Sequence, residues 1–239
     1  MEKNMIKAIV FDLGGVLIDL DIERCKKAFR EDLGYSDIDE ILDACHQKGF
    51  YSDLEEGKIS EDEFRSLILA QSRPDAGAED VDRAMWALLT GVEPYKIGLL
   101  RELAGRYDLY LLSNNNSISM CRCREIFSDA GLPMDEAFKA LFISYQMKML
   151  KPSPAIYGSM IASLGLRPEE ILFIDDSEAN VKAASKAGIN TLPYVPGTDL
   201  AAAIHRSLSA LGDSGEQDAD GFSGCLLADG KNHGDLGRC

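Results

Sequence analysis

Four apolar runs in this chain end on residues that could act together on an anion. Ile6-Lys7-Ala8-Ile9-Val10-Phe11 stops at Asp12, and Leu13-Gly14-Gly15 follows. Leu109-Tyr110-Leu111-Leu112 stops at Ser113-Asn114. Ala140-Leu141-Phe142-Ile143 stops at Ser144, with Lys151 soon after, and Ile171-Leu172-Phe173-Ile174 stops at Asp175-Asp176. Taken singly, each polar residue is an ordinary turn, cap or surface group. Together they supply a carboxylate set able to hold a divalent metal, a hydroxyl donor and an ammonium.

For these residues to meet, the four runs must be parallel strands of one sheet, with their carboxyl ends along one edge. The rest of the pattern agrees. From Pro94 onward, helical stretches (Tyr95 to Tyr107, Ser117 to Ala130, Ser153 to Leu164, Glu178 to Ala187) alternate with the short apolar runs, and Asn190 to Val195 reads as a last strand. The fold class expected is α/β: a doubly wound parallel sheet with right-handed crossovers and helices on both faces. Between the first strand and this alternation, Asp21 to Gly34, Asp37 to Lys48, Ser60 to Ser72 and Asp80 to Gly91 carry apolar residues at helical spacing. Ser60 followed by Glu63 is a capping-box signal. This predicts an all-helical cap over residues 21–92 inserted into a core of residues 1–20 and 93–211. The polar, glycine-punctuated segment 212–239 reads as a disordered tail without chemistry.

Forty acidic residues against 25 basic ones give a net charge of −15. That balance argues against gripping nucleic acid or an anionic membrane by bulk charge. It also requires any phosphate site to be positive locally. No apolar stretch reaches the length of a membrane span, and Met1 to Met5 lead into the first strand without an export signal, so a cytoplasmic protein is expected. The six cysteines form no CxxC pair and are expected to be reduced thiols.

The four segments resemble the motifs of the haloacid dehalogenase-like hydrolase superfamily, in the subfamily whose cap follows the first motif. Its patterns are DxDx[TV] after a strand, a strand ending in Ser or Thr, a Lys before a helix, and a strand ending in two acids. Here they read Asp12-Leu13-Gly14-Gly15-Val16, Leu112-Ser113-Asn114, Lys151-Pro152-Ser153-Pro154 and Asp175-Asp176-Ser177-Glu178. The resemblance spans residues 6 to 205. It implies a phosphatase acting on a small phosphorylated metabolite, with Asp12 as the nucleophile that becomes an aspartyl phosphate. It further implies Mg²⁺ held by Asp12, the Gly14 carbonyl and Asp176, with Asp175 a ligand or beside one. Ser113 and the Asn114 backbone would bind phosphoryl oxygens, and Lys151 would neutralise Asp12 and the phosphate. Oligomeric state is left open.

One departure stands out. Most phosphatases of the family carry an acid–base aspartate two residues after the nucleophile, where this chain has Gly14. Such help is worth about 10²–10⁴-fold, so an ordinary alkyl phosphate should react slowly unless a cap residue donates the proton. An anomeric sugar phosphate would suffer less. A branch of sugar 1-phosphate phosphatases has a similar Asp-Leu-Gly first motif, followed by an Ile-Asp like Ile18-Asp19. The alternatives are a weakly active or non-catalytic relative that binds a phosphorylated ligand or a protein, and a dehalogenase-type hydrolase, which has no evident need for Asp175-Asp176. Within the cap, His46, Phe50, Tyr51 and Glu56 are the candidates to face the site. Lys148 is a possible added positive charge, and Trp86 is expected in the cap core.

Overall fold

The computed structural model describes residues 5–42 and 49–213. The chain begins with β1 (Ala8–Phe11) and β2 (Ile18–Leu20), then runs through helices α1 (Ile22–Glu31), α2 (Ile38–Ile41), α3 (Gly49–Glu55), α4 (Glu61–Leu69) and α5 (Ala78–Trp86). It returns through β3 (Leu89–Val92) to α6 (Pro94–Ala104), β4 (Asp108–Ser113), α7 (Ser117–Asp129), α8 (Met134–Ala137) and β5 (Ala140–Ile143). The last elements are α9 (Ser144–Met147), α10 (Pro154–Leu164), β6 (Ile171–Asp175), α11 (Glu178–Lys186), β7 (Asn190–Pro193) and α12 (Leu200–Ala210).

Strand β1 is buried at every residue, which suits an apolar run with Ile and Val in the middle of a sheet covered on both sides. The sheet is parallel with the order β5-β4-β1-β6-β7. Ile9, Phe11, Leu109 and Leu111 point to one face, against α6, α7 and α12, while Ala8, Val10, Leu112 and Phe173 point to the other, against α10 and α11. Strands are added first on one side of β1 and then on the other. The connections therefore diverge at the carboxyl end of β1 and leave a crevice there. Phe11 is level with Leu111 and Ile174, and Ser113 is level with Ile143, so Asp12, Ser113, Ser144 and Asp175 share that edge.

Helices α1 to α5 surround a core of their own, built on Cys25, Phe29, Phe64, Val81 and Met85. The expected capping box is present at α4: the Ser60 hydroxyl accepts from the Glu63 N–H, and the Glu63 carboxylate accepts from the Ser60 N–H at 2.7 Å. Trp86 packs on this cap core and donates its indole N–H to the Ile118 carbonyl at 2.9 Å.

Two local expectations need correction, and one element was not foreseen. The helix expected over Asp80 to Gly91 ends at Trp86, and Leu89–Val92 is a strand antiparallel to Ile18–Leu20. The two linkers to the cap thus form a ribbon, a pairing across some seventy residues that helical spacing does not reveal. Asp37 to Lys48 was expected as one helix. Its described part is a single turn, Ile38–Ile41, after which Leu42 is extended. A helix at Leu200–Ala210, capped by the Asp199 side chain on the Ala202 N–H, was not expected. It packs Leu200, Ile204 and Leu208 onto the core cluster.

Beneath the ribbon, the fully buried Lys96 joins Asp19 at 2.9 Å and Glu93 at 3.2 Å, tying β2 to the start of α6.

Candidate active site

Asp12 follows β1 directly. Its Oδ1 accepts from the Leu13 N–H at 2.7 Å and lies 2.9 Å from Lys151 Nζ, and no described residue hydrogen-bonds to its Oδ2. After it the backbone folds back on itself: the Leu17 and Ile18 N–H groups donate to the Leu13 carbonyl, and the Gly15 N–H donates to the Ile18 carbonyl. No described backbone N–H donates to the Gly14 carbonyl. Gly15 has a φ of 77°, and a Cβ there would overlap the Asp176 carboxylate. Glycine is therefore what lets the second carboxylate approach the first turn.

One carboxylate oxygen each from Asp12, Asp175 and Asp176 lies within 4.8 Å of the others. Asp175 is fully buried and completely engaged. Its oxygens take Lys151 Nζ at 2.7 Å, the Ser177 N–H at 2.9 Å and the Asn180 amide at 3.0 and 3.2 Å. Asp176 is open to solvent, and partial desolvation together with Asp175 raises its carboxyl above the ordinary value. Burial also raises Asp12, against the pull of Lys151 and with Asp175 adding to it. Asp12 and Asp176, crowded by Asp175 and next to a backbone carbonyl that no described N–H donates to, form an oxygen donor set suited to a hard divalent cation.

Lys151 is 4% exposed and donates to Asp12, Asp175 and the Leu112 carbonyl, the last at 3.0 Å. Burial lowers an ammonium's affinity for its proton, but Asp12 and Asp175 outweigh that and hold Lys151 above its usual value. The Asn114 side chain fixes the turn that presents it. Its Nδ2 donates to the Lys151 carbonyl at 2.9 Å, and its Oδ1 accepts from the Lys151 N–H at 2.8 Å. Ser113 is buried beside it. Its hydroxyl has only a long 3.4 Å contact to the Asn114 carbonyl, so the proton is available to a ligand.

The sequence-derived residues on the sheet edge thus converge, whereas the described cap candidates do not. Tyr51 is buried in the cap core with its ring against Phe64, and Phe50 packs on the same ring. Glu56 pairs with Lys58 at 2.7 Å. His46 lies outside the described residues. Lys148 spends its ammonium on the Gly57 carbonyl of the cap at 2.6 Å.

The residue missed is Glu55. Tyr51, Leu54 and Glu55 form the buried stripe of α3, so an acid sits where the spacing calls for an apolar residue. That mismatch was the available signal. The Glu55 carboxyl is influenced by Asp12 and Lys151 across the seam between cap and core.

Ser144 closes this seam, accepting from the Asn115 N–H at 2.9 Å and donating to the Glu55 carbonyl at 2.6 Å. Ser144→Ala leaves two buried backbone groups short of a partner and is expected to cost about 1–3 kcal/mol. Urea unfolding checks this, and a loss below about 0.5 kcal/mol would show that the seam relaxes freely.

A doubly wound sheet with this edge, and a helical unit inserted after its first strand, defines a capped hydrolase core. A family profile described as haloacid dehalogenase-like hydrolase matches residues 6–188, and the chain belongs to that family. Among named relatives it is 37% identical to the D-ribitol-5-phosphate phosphatase of Bacteroides thetaiotaomicron, over 82% of this chain and 95% of that one. A wild-type HAD family enzyme of the same organism, solved in complex with magnesium and inorganic phosphate, superposes with a TM-score of 0.76 at 36% identity, covering 82% of this chain and 97% of that one. A predicted HAD-like hydrolase from Porphyromonas gingivalis gives a TM-score of 0.78 at 38% identity, covering 85% and 98%.

Proposed function

We propose that this enzyme is a Mg²⁺-dependent phosphatase for a small phosphorylated sugar or sugar alcohol, working through an aspartyl phosphate on Asp12. The observation that carries the reading is Asp12 itself. One of its oxygens is held by the Leu13 N–H and Lys151, no described residue hydrogen-bonds to the other, and an Asp12 oxygen lies within 4.8 Å of oxygens of Asp175 and Asp176. Asp12, Asp176 and the Gly14 carbonyl would hold the cation, and Asp175 would orient Lys151 rather than bind metal, since its oxygens are already taken. When bound, Mg²⁺ offsets the charge of Asp12 and of the phosphoryl oxygens.

The chain's own residues then divide the work. Ser113 donates to a phosphoryl oxygen, Lys151 offsets charge on the nucleophile and on the phosphoryl group, and Asp12 attacks phosphorus to form the acyl phosphate that water later cleaves. The similarity to a ribitol-phosphate phosphatase supports an open-chain polyol phosphate. Gly14, which cannot protonate a leaving group, supports an anomeric sugar phosphate.

A panel of ribitol, hexitol and glycerol phosphates, with glucose 1-phosphate and p-nitrophenyl phosphate, separates these substrates. Turnover is expected to need Mg²⁺ and to vanish on chelation. If no member of the panel is hydrolysed with Mg²⁺ present, the chain is a phospho-ligand-binding relative instead. Turnover that survives complete chelation would remove the metal from the scheme.

A further inference from the structure

We infer that Glu55, carried by the cap, is the proton donor to the leaving oxygen of the phosphate ester, the task that Gly14 cannot perform. This inference rests on the phosphatase reading above. Three observations support it.

First, the position is built. The Glu55 carbonyl is held by Ser144, the residue that follows β5, at 2.6 Å, and two residues on Lys148 holds the Gly57 carbonyl. Gly57 has a φ of 67°, and a Cβ there would overlap the Tyr145 carbonyl, so the close approach of cap to core depends on glycine. The end of α3 is thereby fastened across the strand ends that carry Ser113 and Asn115.

Second, the side chain is 5% exposed, and among the described residues no cation pairs with it. A buried acid that pairs with no described cation is costly and needs a reason. Third, the ionisable groups that act on it are those of the site: Asp12, which follows β1, and Lys151 from the turn before α10. Burial first, then Asp12, push the Glu55 carboxyl up to about 8, with Lys151 opposing, so the donor carries its proton at neutral pH.

The step balances. Asp12 Oδ2 forms a bond to phosphorus while the phosphorus–ester oxygen bond breaks. The electron pair stays on the ester oxygen, which takes the Glu55 proton and leaves as the alcohol. Glu55, now a carboxylate, accepts a proton from water as that water attacks phosphorus. The bond to Asp12 breaks with its pair returning to Asp12, and inorganic phosphate departs with Glu55 protonated again.

The test compares two substrates in Mg²⁺: ribitol 5-phosphate, whose alkoxide must be protonated, and p-nitrophenyl phosphate, whose phenolate need not be. Glu55→Gln is expected to lower kcat/KM, which reports formation of the acyl phosphate and not its shared hydrolysis, on the alkyl ester by roughly 10²-fold or more and on the aryl ester by less than about threefold. The ratio of the two rates does not depend on how much of a preparation is folded. Should the Gln variant not fold, Glu55→Asp keeps the carboxyl and withdraws it, and the same selective loss is expected. Gly14→Asp in the Glu55→Gln protein is expected to restore the alkyl rate by tenfold or more. A Cβ at Gly14 meets only the Leu20 side chain, most closely its Cδ1 at 3.1 Å, and that half-exposed side chain can turn away.

A change in the rate ratio smaller than tenfold overturns the role of Glu55 and leaves the phosphatase reading standing, as does a wild type that hydrolyses only the aryl ester. A wild type that hydrolyses no phosphate ester at all overturns both.

Discussion

Asp12→Asn is expected to remove phosphate-ester hydrolysis almost completely, by on the order of 10⁴-fold or more, as loss of the nucleophile does in other covalent hydrolases. The amide has the shape of the carboxylate, so the turn at Gly14-Gly15 should stay in place. What is lost is the electron pair that attacks phosphorus, and with it the acyl phosphate. Aryl and alkyl esters should suffer alike, because both need the same bond to form, which distinguishes this variant from Glu55→Gln.

Stability should move the other way. Burial raises the Asp12 carboxyl above its ordinary 3.8 despite Lys151. An acid raised in this way leaves the fold most stable below its unfolded value and costs stability as pH climbs through the folded one. The metal-free Asn variant escapes that cost and is expected to melt at or above the wild type at pH 7. Rapid turnover by the variant would end the nucleophile assignment. A large drop in melting temperature would mean that the ion pair with Lys151 outweighs the desolvation of Asp12.

Lys151→Met is expected to damage both activity and fold. The ammonium is the common partner of Asp12 at 2.9 Å and Asp175 at 2.7 Å, in a place with almost no access to water. Methionine fills the space of the stem but leaves two buried carboxylates facing each other. Breaking a buried pair by removing one member typically costs about 3–5 kcal/mol. The catalytic loss should reach roughly 10²–10³-fold, the usual effect of deleting one charge-stabilising donor.

The pH dependence of the stability loss follows from the signs. Lys151 is held above 10.5, so its contribution in the wild type is intact throughout the neutral range and is lost only in strong alkali. In the variant, acid relieves the repulsion by protonating Asp12, so the loss should be smaller at pH 5 than at pH 8. Urea unfolding at the two pH values checks this. A loss under about 1 kcal/mol at pH 8 would show that water or a cation reaches the carboxylates without Lys151.

Much of the core was legible because burial leaves a local signature. Strand β1 is apolar on both faces because helices cover both, and β6, which ends at Asp175, is buried throughout in the same way, while the runs ending at Ser113 and Ile143 are apolar but less completely covered. The Ser60–Glu63 box is likewise a contact between near neighbours, and it was readable for that reason. Less legible were features made by distant partners. Leu89–Val92 takes extended form only because Ile18–Leu20 lies beside it. Tyr51 was a candidate to face the site in sequence and is spent on Phe64 in the cap core.

By itself, then, the order of residues determined the alternating architecture and the set of groups gathered at one edge of the sheet. Both follow from periodicity and from the rule that parallel strands share an end. Only the tertiary structure decided that Asn114 clamps the Lys151 turn, that Asp175 is fully engaged, and that Glu55 rather than Glu56 is buried at the seam between cap and core. The first two depend on how the strand ends of the core meet, and the last on how the cap packs against them. The clamp and the seam contacts join residues 37 to 91 positions apart, and no local pattern encodes them.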